Sequence, residues 1–70
     1  FARVRGDLVD RVRHNQAAGR IRFDLDAEAI AALVIAASDG LQTQWLLEPS
    51  LDLEGALALL DRLLAPPAYG

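Results

Sequence analysis

The sequence predicts an all-helical fold of three helices whose apolar faces are too large for one chain to cover. Apolar residues recur at three- and four-residue spacing in three segments, which is the spacing of one face of a helix. Asp, Gly and Pro separate the segments at positions typical of helix ends, and no strand-like alternation persists. We therefore expect helices over about residues 1–18, 27–47 and 53–65.

The first predicted helix is amphipathic. Val4, Leu8 and Val12 recur at four-residue spacing, and Arg and Asp occupy the other face. This pattern is typical of a surface helix that packs one face on a core. Gly19 is well placed to end the helix, because glycine adopts the left-handed conformation beyond a helix end at little cost.

A short connecting segment follows, over residues 20–25. Apolar and charged side chains alternate in it, so Ile21 and Phe23 should point the same way. We expect both to insert into the core. Asp26 is then a good N-cap for the second helix, which can extend to about Leu47 before Pro49 disfavours helical geometry.

The second predicted helix is the most informative segment, because every residue from Ala29 to Ala37 is apolar. A helix that is apolar all round has to be covered all round. Ala32, Ala36 and Gly40 form a row of small residues that would let another helix come close. The row either packs against the first helix or meets a second copy of the chain, and the all-round apolarity favours the second copy.

The third predicted helix starts after Asp52 or Ser50 as its N-cap and stops before Pro66 and Pro67. It is unusually rich in leucine. Leu59 and Leu63 widen its apolar stripe beyond one face. The stripe itself comprises Leu53, Leu57, Leu60 and Leu64.

The short turn at residues 48–51 predicts that the last two helices form an antiparallel hairpin. One hairpin leaves apolar surface uncovered on both of its helices. Two hairpins related by a twofold axis make a four-helix bundle that covers this surface, and twofold dimers are the commonest oligomers. We therefore expect a homodimer.

Composition narrows the classes of function. The chain has no Cys and one His, so neither disulfides nor a thiolate metal site can form, and we expect no metal and no cofactor. No nucleophile, paired-carboxylate or Gly-rich phosphate motif is present, which argues against an enzyme. We interpret His14 as a surface residue favourably placed at a helix end.

Charge is unevenly distributed along the chain. Residues 1–22 contain six Arg and two Asp, a net charge of +4, whereas residues 23–70 contain one Arg and eight acidic residues, a net charge of −7. A solvated helix face explains the basic segment more simply than a binding patch does. No signal peptide is evident, and the apolar run from Ala29 to Ala37 is too short to cross a bilayer. We expect a cytoplasmic location and no membrane partner.

Taken in order, these motifs resemble the C-terminal end of a TetR-type transcriptional regulator. The resemblance covers about residues 15–65 and rests on the order and spacing of several motifs together. Gly19 is followed by the short segment Arg20–Asp26, an Ala-rich helix and the tripeptide Asp39-Gly40-Leu41. Gln44 and the pair Leu46-Leu47 complete the pattern.

The resemblance implies an all-helical homodimer that acts as a DNA-binding regulator, most often a repressor. An N-terminal helix-turn-helix domain would bind operator DNA. A C-terminal domain would bind a small-molecule effector and dimerise through its last two helices. We therefore expect residues 1–70 to be the C-terminal portion of such a ligand-binding and dimerisation domain, without the DNA-binding domain and without most of the helices that would enclose an effector.

Two sets of site residues follow from the burial pattern and the resemblance. The first set is expected at the dimer interface: Ala32, Ala36, Gly40, Thr43, Trp45, Leu47, Leu57, Leu60 and Leu64. A second set could form the floor of an effector pocket, although plain core packing explains it better: Phe23, Ile30, Leu33 and Val34. Trp45 could also line a pocket, but its position near the hairpin turn favours the interface.

Two other functions are compatible with the same residues. The chain could be a helical homodimeric protein-interaction module that is not involved in transcription, or a helical piece of an enzyme whose active site lies elsewhere. A basic helix-turn-helix pattern upstream in the parent chain would support the regulator. Its absence would favour the interaction module.

Overall fold

The structure, a computed structural model, describes residues 2–66. These residues form three helices and no strand: α1 (Ala2–Ala17), α2 (Ala27–Leu47) and α3 (Leu53–Leu64). The predicted all-helical class and the number of helices are confirmed. The predicted ends differ from the observed ones by one residue at most, apart from the predicted start at Phe1, which lies outside the described residues.

The end of α1 is set by Gly19. This residue has φ 78°, in the left-handed region that glycine enters without penalty. Its N–H donates to the carbonyl of Gln16 at 3.1 Å, and the Arg20 N–H donates to the carbonyl of Asn15 at 2.9 Å. These two bonds form a Schellman motif, which satisfies carbonyls that the helix end would otherwise leave without a partner.

Aspartate side chains cap the other two helices at their N-termini. An Asp26 carboxylate oxygen accepts from the Ala29 N–H at 3.2 Å, and an Asp52 oxygen accepts from the Gly55 N–H at 3.0 Å. Each bond satisfies one of the free amide groups in the first helical turn. Both N-caps expected from the sequence are therefore present, and Asp52 rather than Ser50 caps α3.

We expect Asp26→Ala to lower the free energy of unfolding by about 1 kcal/mol, because the first turn of α2 loses its cap. Asp26→Asn is the control, since an amide oxygen can accept the same bond. Urea denaturation of both variants at one protein concentration measures the difference. An equal loss in Asp26→Asn and Asp26→Ala would mean that the cap is not the cause.

The core lies between α1 and α2 and is small. Its buried members are Val9, Val12, Ala27, Ile30 and Ala31. Leu8, Ile21, Val34 and Leu64 pack against this cluster while remaining partly exposed. Within residues 2–66, α3 contributes no fully buried residue, so α3 rests on the rest of the chain without being enclosed by it.

The connecting segment corrects one expectation. Ile21 is half-buried and packs against the core, as predicted, but Phe23 is 83% exposed. The backbone bends at residues 20–21 and again at 23–25, and the two-residue alternation of an extended strand does not survive such bends. Phe23 therefore points to solvent in this chain.

The chain is flatter and more open than a self-contained domain of its size. Its Cα extents are 37 × 36 × 14 Å, and its radius of gyration is 13.3 Å, against about 11 Å for a compact domain of this length. Its accessible surface is 5448 Å², about a quarter more than the roughly 4300 Å² typical of a folded monomer of this mass. The excess is of the order that an interface with another protein would bury.

Candidate functional site

The small residues of α2 lie outside the part of the helix that α1 buries. α1 packs on the side of α2 that carries the buried residues Ala27, Ile30 and Ala31. The row Ala32, Ala36 and Gly40 is exposed throughout. Ala36 and Gly40 line the groove beside α3, whereas Ala32 lines the cleft beside α1, so both explanations left open by the sequence stay predictions.

Gly40 stands over open space. A Cβ atom built on it would meet no side chain of the chain, and no backbone outside its own helix, within 4 Å. A glycine in the middle of a helix costs about 1 kcal/mol relative to alanine. No described part of the chain packs into the space that the missing side chain of Gly40 leaves.

Beside this row, α2 and α3 enclose an apolar groove of about 370 Å³. Small side chains form much of the α2 wall, and leucines dominate the α3 wall. No charged residue lines the groove. Its lining residues are Ala36, Ala37, Gly40, Leu41, Gln44, Ala56, Leu59, Leu60 and Leu63.

The α3 wall of the groove differs from the leucine stripe that the sequence emphasised. Leu60 does line the groove, but it is half-buried, and Leu64 packs against the core. Leu57 lies at the border between half-buried and exposed. The leucines that both line the groove and stand most exposed are Leu59 and Leu63.

The α2 residues predicted for the interface do not all share one surface. Successive residues of a helix are about 100° apart, which places Thr43 and Leu47 within about 20° of Ala36. Both are exposed. Trp45 is nine residues from Ala36 and lies on the opposite side of the helix, so it and Ala36 cannot contact the same face of a partner helix.

Thr43 does not make this face polar. Its hydroxyl donates to the backbone carbonyl of Asp39, one turn earlier, at 3.1 Å. Asp39 itself is exposed. The hydroxyl is therefore satisfied inside its own helix, and Thr43 presents its methyl group as readily as a small apolar residue would.

Four residues of this apolar surface were missing from the set expected at the interface. Ala29 and Leu33 are exposed on α2, Ala29 at the cleft beside α1, and Leu59 and Leu63 are exposed on α3. The sequence does indicate that Leu59 and Leu63 could be at the interface, because they widen the apolar stripe of α3 beyond one face. For Ala29 and Leu33 the only indication is the apolar run from Ala29 to Ala37, which does not show which side of the helix α1 covers.

The residues suggested for an effector pocket do not converge in this chain. Ile30 is buried in the core, and Val34 packs against it. Leu33 is exposed on the other face of α2, and Phe23 is exposed in the connecting segment. Neither of the two cavities described here has any of the four among its lining residues, so their role in effector binding stays a prediction.

A second, open cleft of about 750 Å³ lies between α1 and the N-terminal end of α2. Its charged lining residues are Arg5, Asp7, Asp10, Arg13, Asp26 and Glu28. Small-molecule pockets are mostly apolar with a few converging polar groups. Charged side chains dominate this cleft, which is typical of a solvated surface.

The segment that joins α1 to α2 contains an ion pair. The Arg22 Nε and Nη2 atoms donate to the two carboxylate oxygens of Asp24 at 2.7 and 2.8 Å. The hydrogen bond from Arg22 and its positive charge hold the pKa of Asp24 below its ordinary value. Because both side chains reach solvent, the pair shapes the segment and adds little stability.

By length and composition alone, α2 is apolar enough to cross a membrane. The uninterrupted apolar run from Ala29 to Ala37 is too short for this, but the whole helix is long enough. Core helices of soluble proteins meet the same criterion. Asp39 near the middle of the helix would add about 2.5–3.5 kcal/mol to the free energy of insertion, so the criterion is weak support for a span.

Comparison with known protein families identifies a match. The family described as BetI-type transcriptional repressor, C-terminal, matches residues 1–66. No curated protein and no solved structure matches the chain. The match covers nearly the whole chain and agrees with the resemblance to TetR-type regulators that the motifs indicated. The chain therefore belongs to the family of C-terminal domains of BetI-type transcriptional repressors, within the TetR-type regulators.

Proposed function

We propose that this chain is the dimerisation part of a TetR-type repressor, and that the dimer forms through the groove and the uncovered face of α2. The observation that carries the proposal is the apolar groove in which Ala36 and Gly40 face Leu59 and Leu63. No charged residue lines this groove, and no described part of the chain fills the space over Gly40.

In this dimer, α2 and α3 form an antiparallel hairpin, and two hairpins make a four-helix bundle. Apolar burial contributes about 25 cal/mol for each Å² removed from water. A specific interface buries about 800 Å² on each partner, which is less than the excess surface of the chain. The contact is isologous, because the same patch serves both copies about a twofold axis.

The repressor function requires two further parts that we place outside residues 1–70. A helix-turn-helix domain would bind operator DNA, since the acidic chain described here offers no surface for a polyanion. Helices upstream of α1 would complete the effector pocket. The protein would act in the cytoplasm and would need no metal or cofactor.

Regulation in such a dimer would be allosteric. An effector shifts an equilibrium only by the difference in its affinity for the two states. We propose that the four-helix bundle stays rigid, and that effector binding changes the orientation of the two DNA-binding domains relative to it. The uncovered apolar groove would also suit the interaction module considered from the sequence, but the family match favours the transcriptional repressor over that module and over the enzyme piece.

The test of dimerisation is Gly40→Leu in the full-length protein. Overpacking a close contact costs about 1–3 kcal/mol, and a twofold dimer contains this site twice. We expect Kd for the dimer to increase at least about thirtyfold, which corresponds to about 2 kcal/mol. Sedimentation velocity over a range of protein concentrations measures this change.

Gly6→Leu is the matched control. Gly6 is also a helical glycine at which an added Cβ would meet no side chain beyond its chain neighbours within 4 Å, but it lies on α1. Both substitutions improve helix propensity, and a Cβ atom has space at both positions. Gly6→Leu should leave Kd unchanged. Equal dimer affinity in wild type and Gly40→Leu would remove Gly40 from the interface.

A further inference from the structure

The side chain of Gln16 connects α1 to the segment that leads into α2. Its amide nitrogen donates to the carbonyl of Arg22 at 3.1 Å and to the carbonyl of Leu25 at 3.0 Å. One side chain therefore satisfies two backbone acceptors six and nine residues further along the chain. Gln16 is half-buried and follows the core residue Val12 by one helical turn, which places it on the same face of α1.

The same segment is bonded to the end of α3. The Arg22 N–H donates to the carbonyl of Leu64 at 2.8 Å. Leu64 is the last residue of α3, and the last carbonyls of a helix have no partner inside it. A residue from the α1–α2 connection thus supplies one of the hydrogen bonds that close the C-terminal end of α3.

This connection is a hydrogen-bonded route from α1 to the end of α3. In the described part of the chain, α1 packs on α2 and α2 packs on α3, and α3 also reaches the core between α1 and α2 through Leu64. Gln16 fixes the carbonyl of Arg22, and the amide of the same residue holds Leu64. Leu63, which lines the groove, is adjacent to Leu64 in α3.

We propose that Gln16 is a positioning residue that fixes the end of α3 relative to α2, and so sets the width of the groove at Leu63. The proposal rests on the dimerisation proposed above and adds a link between α1 and the dimer surface. A displacement of α1 that breaks the hydrogen bonds of Gln16 would release the end of α3. The α1–α2 connection would then be a path by which α1 regulates the geometry of the dimer.

The substitution that isolates this link is Gln16→Glu. It keeps the size of the side chain but removes both N–H donors and turns a carboxylate toward two carbonyl oxygens. Gln42→Glu is the matched control, because it makes the same change in charge at an exposed position of α2. Gln42 has no side-chain hydrogen bond within residues 2–66 and does not line the groove.

Two measurements on the full-length protein test the proposal. Hydrogen exchange followed by NMR at the Arg22 amide reports on its bond to Leu64. Sedimentation velocity reports on the dimer. In Gln16→Glu we expect exchange at Arg22 to become at least about tenfold faster and Kd for the dimer to increase about tenfold, while Gln42→Glu changes neither. The far-ultraviolet circular dichroism spectrum should stay that of the wild type.

The outcomes separate this inference from the proposed function. Unchanged exchange at Arg22 in Gln16→Glu would overturn the link. Faster exchange with an unchanged dimer would overturn the effect on the groove. A wild-type protein that stays monomeric at tens of micromolar would refute dimerisation instead, and exchange at Arg22 would still decide whether Gln16 holds the end of α3.

Discussion

Leu63→Glu is expected to convert the full-length protein from a dimer to a monomer at low micromolar concentration. Leu63 lines the apolar groove on its α3 side and is 62% exposed in the single chain. In the dimer proposed here it becomes buried against the partner. The substitution would then place a carboxylate in a groove that has no charged lining residue.

The size of the effect follows from the cost of burying an unpaired charge. Leaving a buried charge uncompensated costs about 3–5 kcal/mol, and a twofold dimer contains the position twice. Even one such penalty raises Kd by about a thousandfold. Sedimentation velocity or multi-angle light scattering at 1–10 micromolar, roughly the range over which a change of this size is visible, would report the change in mass.

Leu46→Glu separates an interface effect from a general effect of charge. Leu46 is a leucine of similar exposure, 72%, but it lies on α2 outside the groove. The Leu46→Glu protein should remain a dimer. A Leu63→Glu protein that sediments as a dimer with wild-type affinity would show that the groove does not form the interface.

The second large effect is expected at the core. Ile30 is 2% exposed and belongs to a buried cluster of five residues that holds α1 on α2. Truncating a buried isoleucine to alanine costs about 2–5 kcal/mol through lost burial and the cavity left behind. This is a large part of the roughly 5–15 kcal/mol that stabilises a typical domain.

Ile30→Ala should therefore lower the free energy of unfolding by several kcal/mol, measured by urea denaturation at a fixed protein concentration, because the stability of a dimer depends on concentration. Leu46→Ala, an exposed truncation, should change it by about 0.5 kcal/mol or less. The result also addresses the effector-pocket prediction. If Ile30→Ala kept wild-type stability but bound the effector more weakly, Ile30 would belong to the effector pocket and not to the stabilising core.

The ends of the helices could be predicted closely, because each depends on a local signal. Asp26 and Asp52 were expected as N-caps and accept the bonds that caps accept. Gly19 was expected to end α1 and has the positive φ that favours glycine there. Capping requires only residues within a few positions of each other, so the sequence alone contains the information.

The site could be predicted in part. The row Ala32, Ala36 and Gly40 was expected to face another molecule, and it is uncovered in the chain. Trp45 lies on the opposite side of α2 from this row, and its place at the interface stays a prediction. Phe23 was expected in the core and is exposed. The bent connecting segment is bonded to Gln16, six to nine residues away, and to Leu64, which is distant in sequence.

By itself, the sequence determined that the chain is helical, where each helix begins and ends, and that α2 and α3 carry more apolar surface than one copy can cover. Periodicity and capping are local, and they fix these features. Only the tertiary structure decided which apolar side is covered. It places Leu59 and Leu63 in the groove and turns Leu64 toward the core, because the choice depends on where α1 packs on α2, and an all-apolar helix offers every side equally.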